Sequence, residues 1–143
     1  MFIGEYSYSI DEKGRISIPV KFRSKLLEGC IVTRGLDRCL WVYSTEEWQK
    51  ISEQIASLPI TQKNARSFSR LMLAGAMDLN LDKAGRINLP GYLKEYSGIK
   101  NKVVICGMYN RLEIWPEDSW KEFKKGMEEN SEEIAEQIEA IGF

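Results

Sequence analysis

Residues 11–19 read Asp11-Glu12-Lys13-Gly14-Arg15-Ile16-Ser17-Ile18-Pro19, and the same pattern returns 71 positions later as Asp82-Lys83-Ala84-Gly85-Arg86-Ile87-Asn88-Leu89-Pro90. Each copy places an acid, a glycine and an arginine ahead of two aliphatic residues and a proline. After one inserted residue the offset becomes 72, and further pairs correspond: Gly35 with Gly107, Leu40 with Leu112, Val42 with Ile114, Tyr43 with Trp115, and Trp48 with Trp120. Two copies at a period longer than the roughly 20–50 residues of solenoid repeats indicate duplication of a small domain about a pseudo-two-fold axis.

Each copy is predicted to form two short strands and a short helix around its glycine. Alternation of apolar and polar residues over 5–10 is typical of a half-buried strand. Lys13-Gly14 then indicates a tight turn into a returning strand over 15–18. Pro19 suits the first turn of a helix, which is predicted over 20–28. The residues of that helix expected to face inward are Phe22, Leu26 and Leu27.

The remaining elements follow from similar patterns. A capping box, Ser44-x-x-Glu47, is predicted to start a helix with Trp48 on its inner face. Strands are predicted over 30–33, 40–43, 77–81, 102–107 and 111–115, and helices over 61–73, over 91–97 and from 116 onward. A last acidic helix carries a narrow apolar stripe of Ile134, Ile138 and Ile141.

Neither half can form a complete core alone, because each contains only about four short strands. The chain is therefore predicted to be β-rich with helices, with its two hairpin-rich repeats interleaved into one barrel-like body. The predicted divisions are a first repeat over 5–47, a helical connector over 48–75, a second repeat over 76–119 and an acidic helical segment over 120–143.

The composition argues against most enzymatic chemistry. The 143 residues include no histidine, which removes Ser-His-Asp and Cys-His activation of a nucleophile. Cys30, Cys39 and Cys106 lack the close spacing of metal ligands and are expected to pack as small hydrophobic residues. We expect no metal, no cofactor and no small-molecule substrate. No apolar run approaches the roughly 20 residues of a membrane span, and the start of the chain lacks the features of a signal peptide, so a cytoplasmic location is expected.

The net charge of −1 hides a gradient along the chain. Residues 1–120 carry 17 Lys and Arg against 14 Asp and Glu, whereas residues 121–143 carry 3 against 7. The body is therefore mildly basic and the tail acidic. This placement, rather than the total charge, is compatible with a nucleic-acid partner.

The doubled motif also carries a resemblance to a known family. The two copies of Asp-x-x-x-Arg, the start Met1-Phe2-Ile3-Gly4-Glu5-Tyr6 and the tryptophan-marked helix after each half resemble the MraZ family of bacterial proteins, over nearly the whole chain except the acidic tail. The resemblance implies an AbrB-like swapped-hairpin β-barrel, normally made by two chains and here by the two halves of one. It also implies a ring-shaped, nucleoid-associated oligomer that regulates transcription by binding short repeated boxes in the promoter of the division and cell-wall gene cluster. In the family the Asp-x-x-x-Arg loops are tied to DNA contact.

The residue types of the motif suit this role. A glycine lets a hairpin tip adopt a positive φ, and the following arginine offers a planar set of donors for phosphate or for guanine O6 and N7. The candidate DNA-binding residues are Lys13, Arg15, Lys83, Arg86, Lys21 and Arg23. The residues expected to brace the two motifs are Asp11, Gly14, Asp82 and Gly85. The aspartates are expected to act structurally, as partners in an ion pair across the turn.

Several candidates have alternative roles. Lys21, Arg23 and Lys25 are also typical of a solvated helix face, and Lys83 and Arg86 can instead serve subunit packing. The leading hypothesis for the whole protein is a non-enzymatic, sequence-specific DNA-binding regulator. The first alternative is an oligomeric scaffold whose paired loops bind protein. The second is a barrel enzyme that uses the Asp–Arg pairs on a small anionic substrate, and it ranks a distant third.

Overall fold

The structure is a computed structural model that describes residues 1–143. Its strands are β1 (Phe2–Ser9), β2 (Arg15–Ser17), β3 (Cys30–Arg34), β4 (Leu40–Ser44), β5 (Met77–Leu79), β6 (Arg86–Asn88), β7 (Lys102–Tyr109) and β8 (Leu112–Pro116). Its α-helices are α1 (Val20–Arg23), α2 (Thr45–Ala56), α3 (Lys63–Ser69), α4 (Gly91–Ser97), α5 (Glu117–Glu129) and α6 (Ser131–Ala140). Each half therefore contributes four strands, as predicted.

The strands form two antiparallel sheets in which the halves alternate. The larger sheet has the order β1-β7-β8-β4-β3-β5, and β2 and β6 form a separate two-stranded ribbon. Three of the five pairings in the larger sheet join a strand of one half to a strand of the other: β1 with β7, β4 with β8, and β3 with β5. The predicted fold class, a β-rich fold with helices and two interleaved tandem repeats, is confirmed.

The predicted pairing of residues 5–10 with 15–18 as a hairpin is wrong. The chain does turn between them, but β1 pairs along its whole length with β7, from Phe2 opposite Tyr109 to Ser9 opposite Lys102. β2 instead pairs with β6, and Ile16 lies opposite Ile87. The turn residues determine that the chain reverses, whereas the partner strand is determined by burial between the halves.

One apolar core is shared by both halves. A cluster of 17 buried residues includes Ile16, Ile18 and Phe22 from the first half and Ile87, Leu89 and Leu93 from the second. The prediction that Phe22 and Leu26 face inward is confirmed, but the same prediction for Leu27 is wrong because it is 78% exposed. The α-helix ends at Arg23 and continues as a tighter 3₁₀ turn over Ser24–Leu26, which changes the direction of the following side chain.

The helices after each half repeat one packing arrangement. The ring centroids of Tyr43 and Trp48 lie 5.6 Å apart, and those of Trp115 and Trp120, the residues matched to them at an offset of 72, lie 5.5 Å apart. The Ser44 side chain accepts a hydrogen bond from the Glu47 backbone N–H at 3.2 Å, so the predicted cap of α2 is confirmed.

Most other predicted elements are present with shifted ends. The helix predicted over 91–97 coincides with α4. The helix predicted over 61–73 is shorter, because α3 covers Lys63–Ser69 and a wider π-helical turn covers Arg70–Ala74. None of the helices combines the length and the apolar composition that a membrane crossing requires.

Substitution of a buried ribbon residue measures how much the ribbon contributes to stability. Ile87 is fully buried, so we expect Ile87→Ala to lower the free energy of unfolding by about 2–5 kcal/mol, since the residual cavity adds to the lost apolar burial. The control is Leu27→Ala, at an exposed position. It is expected to change the free energy of unfolding by less than about 0.5 kcal/mol. Urea denaturation followed by circular dichroism measures both. Equal effects of the two substitutions would contradict the placement of the ribbon in the core.

Candidate nucleic-acid interface

The first copy of the motif, residues 11–15, forms a closed turn that we call turn 1. The Gly14 N–H donates to the Asp11 carbonyl at 3.0 Å, and the Asp11 N–H donates to the Arg15 carbonyl at 3.1 Å. Asp11 Oδ1 accepts the backbone N–H groups of Lys13 and Arg15, both at 2.9 Å. Asp11 Oδ2 accepts Arg15 Nε at 2.6 Å. The carboxylate thus holds both the backbone of the turn and the arginine side chain.

The second copy, residues 82–86, repeats this geometry as turn 2. Asp82 Oδ1 accepts the backbone N–H groups of Ala84 and Arg86 at 2.9 Å, and Asp82 Oδ2 accepts Arg86 Nε at 2.9 Å. Gly14 and Gly85 have φ angles of 82° and 76°, a region that other residues rarely adopt. The two motifs therefore fold into the same structure although their second and third residues differ.

The β2–β6 ribbon ties the two turns to each other. Beyond the paired strands, the Ile18 N–H donates to the Gly85 carbonyl and the Leu89 N–H donates to the Gly14 carbonyl, each at 2.9 Å. Each turn glycine is thus bonded to the strand of the other half. Arg86 Nη1 also lies 3.9 Å from Asp11 Oδ2, an ion pair between the turns. Turns 1 and 2 consequently form one surface, built equally from the two repeats.

Both turn arginines keep hydrogen-bond donors that a ligand can use. Their Nε atoms are occupied by Asp11 and Asp82, while both side chains remain 32% exposed. Nε bonding fixes the plane of each guanidinium, while the Nη groups make no hydrogen bond within the chain and only Arg86 Nη1 approaches a second carboxylate, Asp11 Oδ2, at 3.9 Å. Such pre-positioned groups bind an anionic ligand with little loss of side-chain freedom.

The same bonds stabilise the charged form of each aspartate. The backbone N–H of Arg15, and after it the Arg15 side chain and the Lys13 N–H, hold the pKa of Asp11 below its usual value, against the opposing effect of partial burial. The backbone N–H and side chain of Arg86 and the N–H of Ala84 lower the pKa of Asp82 in the same way. Both carboxylates are therefore ionised at neutral pH, and each turn arginine has a permanent anionic partner.

A basic side chain from the helix of the opposite repeat lies against each turn. The Arg23 side chain packs on Gly85, where an added Cβ would collide with it, and Arg23 Nε donates to the Ile18 carbonyl at 2.8 Å. Lys94 Nζ lies 2.9 Å from the position that a Cβ on Gly14 would occupy. Arg23 is therefore a half-buried neighbour of turn 2 rather than part of a solvated helix face. Turn 2 is thus contacted by a basic side chain of α1, and turn 1 has a basic side chain of α4 beside it.

Lys94 was not among the residues that the sequence singled out. It has no recognisable motif of its own, and it forms no ion pair with a carboxylate. The repeat contains the signal that identifies it, because Lys94 follows Pro90 by four residues just as Arg23 follows Pro19. Extension of the 71-residue offset through the short helices would have found it.

The other candidate lysines are placed differently. Lys13 and Lys83 are exposed at the turns. Lys21 Nζ lies over the rings of Tyr6 and Phe22, 5.1 and 5.3 Å from their centroids, and Lys25 Nζ lies 5.5 Å from that of Phe2. The structure thus brings Arg23 to a turn, whereas Lys21 and Lys25 rest on aromatic side chains near β1.

The cysteines pack as small hydrophobic residues, as predicted. All three are buried and free, and burial raises the pKa of each thiol to about 12. They are protonated at neutral pH and are poor nucleophiles. No group of three or more Cys, Asp or Glu side chains is arranged to hold a metal ion.

Comparison with known proteins identifies relatives of both halves. The MraZ family model, described as "MraZ protein, putative antitoxin-like", matches residues 1–71 and again residues 72–139. A protein of Halothermothrix orenii named transcriptional regulator MraZ is 48% identical to this chain over 142 residues, which cover 99% of each protein.

The hydrogen bonds of turn 1 predict how Asp11 titrates. Because its lowered pKa results mainly from the Arg15 backbone N–H, we expect Asp11 to titrate below 3.8 in wild type and still below 3.8 in Arg15→Ala, which keeps that N–H. NMR detection of the carboxyl carbon measures this, and Asp82 is the internal control. A lowered folded-state pKa stabilises the fold above pH 3.8, and this contribution is lost as the pH falls through the folded value. An Asp11 that titrates at or above 3.8 in wild type would contradict the geometry of turn 1.

Proposed function

The chain belongs to the MraZ family, and we propose that it is a sequence-specific, DNA-binding transcriptional regulator of the bacterial division and cell-wall gene cluster. In this proposal it binds repeated promoter boxes as an oligomeric ring through turns 1 and 2, in the cytoplasm at the nucleoid. The function is not enzymatic and needs no cofactor. We further propose that the two repeats span residues 5–47 and 76–119.

One observation carries the proposal: two arginine-bearing turns are locked together by the ribbon and present their remaining donors on one surface. Arg15 and Arg86 have their Nε atoms held by aspartates, so their Nη groups are oriented before any ligand arrives. A guanidinium in this state is suited to bidentate contact with a phosphate or with guanine O6 and N7. The short distance between Arg86 Nη1 and Asp11 Oδ2, 3.9 Å, supports joint contact of the two turns with one ligand.

The lysines around the turns supply the sequence-independent part of the binding. Lys13 lies in turn 1 and Lys83 in turn 2, and Lys94 adds a cation beside Gly14. Contacts of lysine with phosphate release condensed counterions, and they position a protein on the duplex without reading its sequence. Lys94 and Glu12 line the same surface depression, so Lys94 reduces the negative potential near Glu12, for which turn 2 has no equivalent. We therefore propose that both turns contact phosphate, with turn 1 depending on a cation from the second repeat.

A single pair of turns contacts few nucleotides, so high affinity needs several pairs. A ring that repeats the pair at regular intervals against repeated boxes raises the effective concentration of each further contact. Repetition in the protein then matches repetition in the promoter, and one scrambled box weakens the complex without removing all contacts.

Fluorescence anisotropy of the promoter duplex against a scrambled duplex tests the proposal over a series of salt concentrations. We expect Arg15→Ala and Arg86→Ala each to weaken promoter binding by about 1–3 kcal/mol per site, roughly 5- to 150-fold, and to reduce the preference over the scrambled duplex. Lys94→Ala is expected to weaken both duplexes alike and to reduce the salt slope by about 1.

Lys50→Ala is the matched control, because Lys50 is an exposed lysine of α2 that pairs with Glu47 outside both turns. It is expected to bind as wild type does. Weak, equal binding to the two duplexes that no turn substitution changes would overturn the proposal and favour a protein partner for the turns.

A further inference from the structure

The last helix exposes an apolar stripe that nothing in its own chain covers. In α6, Ile134 and Ile138 are 44% and 41% exposed, and Ile141 just beyond the helix is 79% exposed. The backbone hydrogen bonds of residues 131–143 stay within that segment or reach Asn130. Residues 126–143 also carry six glutamates and no lysine or arginine. This surface is therefore both apolar and strongly acidic.

The helical connector that follows the first repeat is complementary to this surface, because it is apolar and basic. A cavity of about 220 Å³ lies between the end of α2 and α3, and its lining residues are Leu58, Ile60, Ala65, Arg66, Ser69 and Arg70. Leu58 and Ile60 are 37% and 78% exposed. Residues 57–75 carry three lysines and arginines and no acid. We call this cavity the connector groove.

The two surfaces match in charge as well as in polarity. At about 100° per residue, Ile134 and Ile138 lie about 40° apart on one face of α6, and the four glutamates of the helix lie on its remaining faces. Arg66 and Arg70 stand beside the apolar lining of the groove, and neither forms an ion pair within the chain. An apolar stripe on a strongly acidic helix is complementary to an apolar groove lined by two arginines without an acidic partner.

The topology favours a second copy of the chain as the occupant. Strands β4 and β8 pair antiparallel, α2 follows the end of β4, and α5 with α6 follows the end of β8. The helices that lead to the connector groove and to α6, α2 and α5, therefore leave opposite ends of the β4–β8 strand pair. Each copy has one α6 helix and one connector groove, so the interface between copies is head to tail. Successive copies then add in the same direction until a ring closes.

We propose that α6 of one copy docks in the connector groove of the next copy, with Ile134 and Ile138 on Leu58 and Ile60, and with the acidic helix held close to Arg66 and Arg70 by their opposite charge. The proposal rests on the oligomeric part of the proposed function and identifies the contact that builds it. A ten-residue helix is only about 15 Å long, so one contact buries little surface. Ring closure, in which every copy makes two contacts, compensates for this.

Sedimentation velocity of the full-length protein without DNA tests the docking. Wild type is expected to form an oligomer, and both Ile134→Asp/Ile138→Asp and Arg66→Glu/Arg70→Glu are expected to weaken assembly by about tenfold or more while circular dichroism stays unchanged. Glu133→Lys/Glu139→Lys placed in the same chain as Arg66→Glu/Arg70→Glu is expected to restore assembly, because both charges are exchanged.

Glu28→Lys/Glu46→Lys is the matched control, since it makes the same charge change at two exposed glutamates outside α6 and the connector groove. It is expected not to restore assembly of Arg66→Glu/Arg70→Glu. A monomeric wild type, full assembly of Ile134→Asp/Ile138→Asp, or equal rescue by the control would each overturn the docking. Anisotropy of a duplex with a single promoter box, measured on the same variants, separates this result from the proposed DNA binding, because turns 1 and 2 are unaltered.

Discussion

Two backbone hydrogen bonds hold the functional surface together. The Ile18 N–H bonds the Gly85 carbonyl and the Leu89 N–H bonds the Gly14 carbonyl, so each turn is completed by the strand that follows the other turn. Because these strands are buried between the halves, the turns cannot separate unless the shared core opens. The surface therefore requires both repeats, because one repeat alone supplies a turn but not the segment that completes it.

The aspartates and glycines determine how rigid the turns are. Each aspartate satisfies two backbone N–H groups and one arginine Nε, which orders both the loop and the side chain that the loop presents. Each glycine provides the positive φ and also leaves room for a cation, Lys94 over Gly14 and Arg23 over Gly85. The positive charge at each turn therefore comes from both halves. The exchange of strands between the halves is what brings each cation to the turn of the other half.

Much of the fold was predictable because its signals are local. The repeated motif, the Pro-led short helices and the Ser44 cap each depend on a few adjacent residues, and the structure contains all of them. The partner of β2 was not predictable from turn chemistry, since Ile16 can bury itself against either half and only the complete core decides. Leu27 was misplaced because a 3₁₀ turn follows α1, and Lys94 was missed because its role depends on a turn 80 residues earlier in the chain.

Hydrogen exchange of the Ile18 and Leu89 amides tests the coupling of the turns most directly. If these bonds are part of the shared core, both amides exchange only through global unfolding, with protection equal to that of the Val32 and Ile105 amides in the central sheet. The two amides should also lose protection together as denaturant is added. Fast exchange of either amide while Val32 and Ile105 remain protected would show that the turns open independently, and would contradict a surface built jointly by the two repeats.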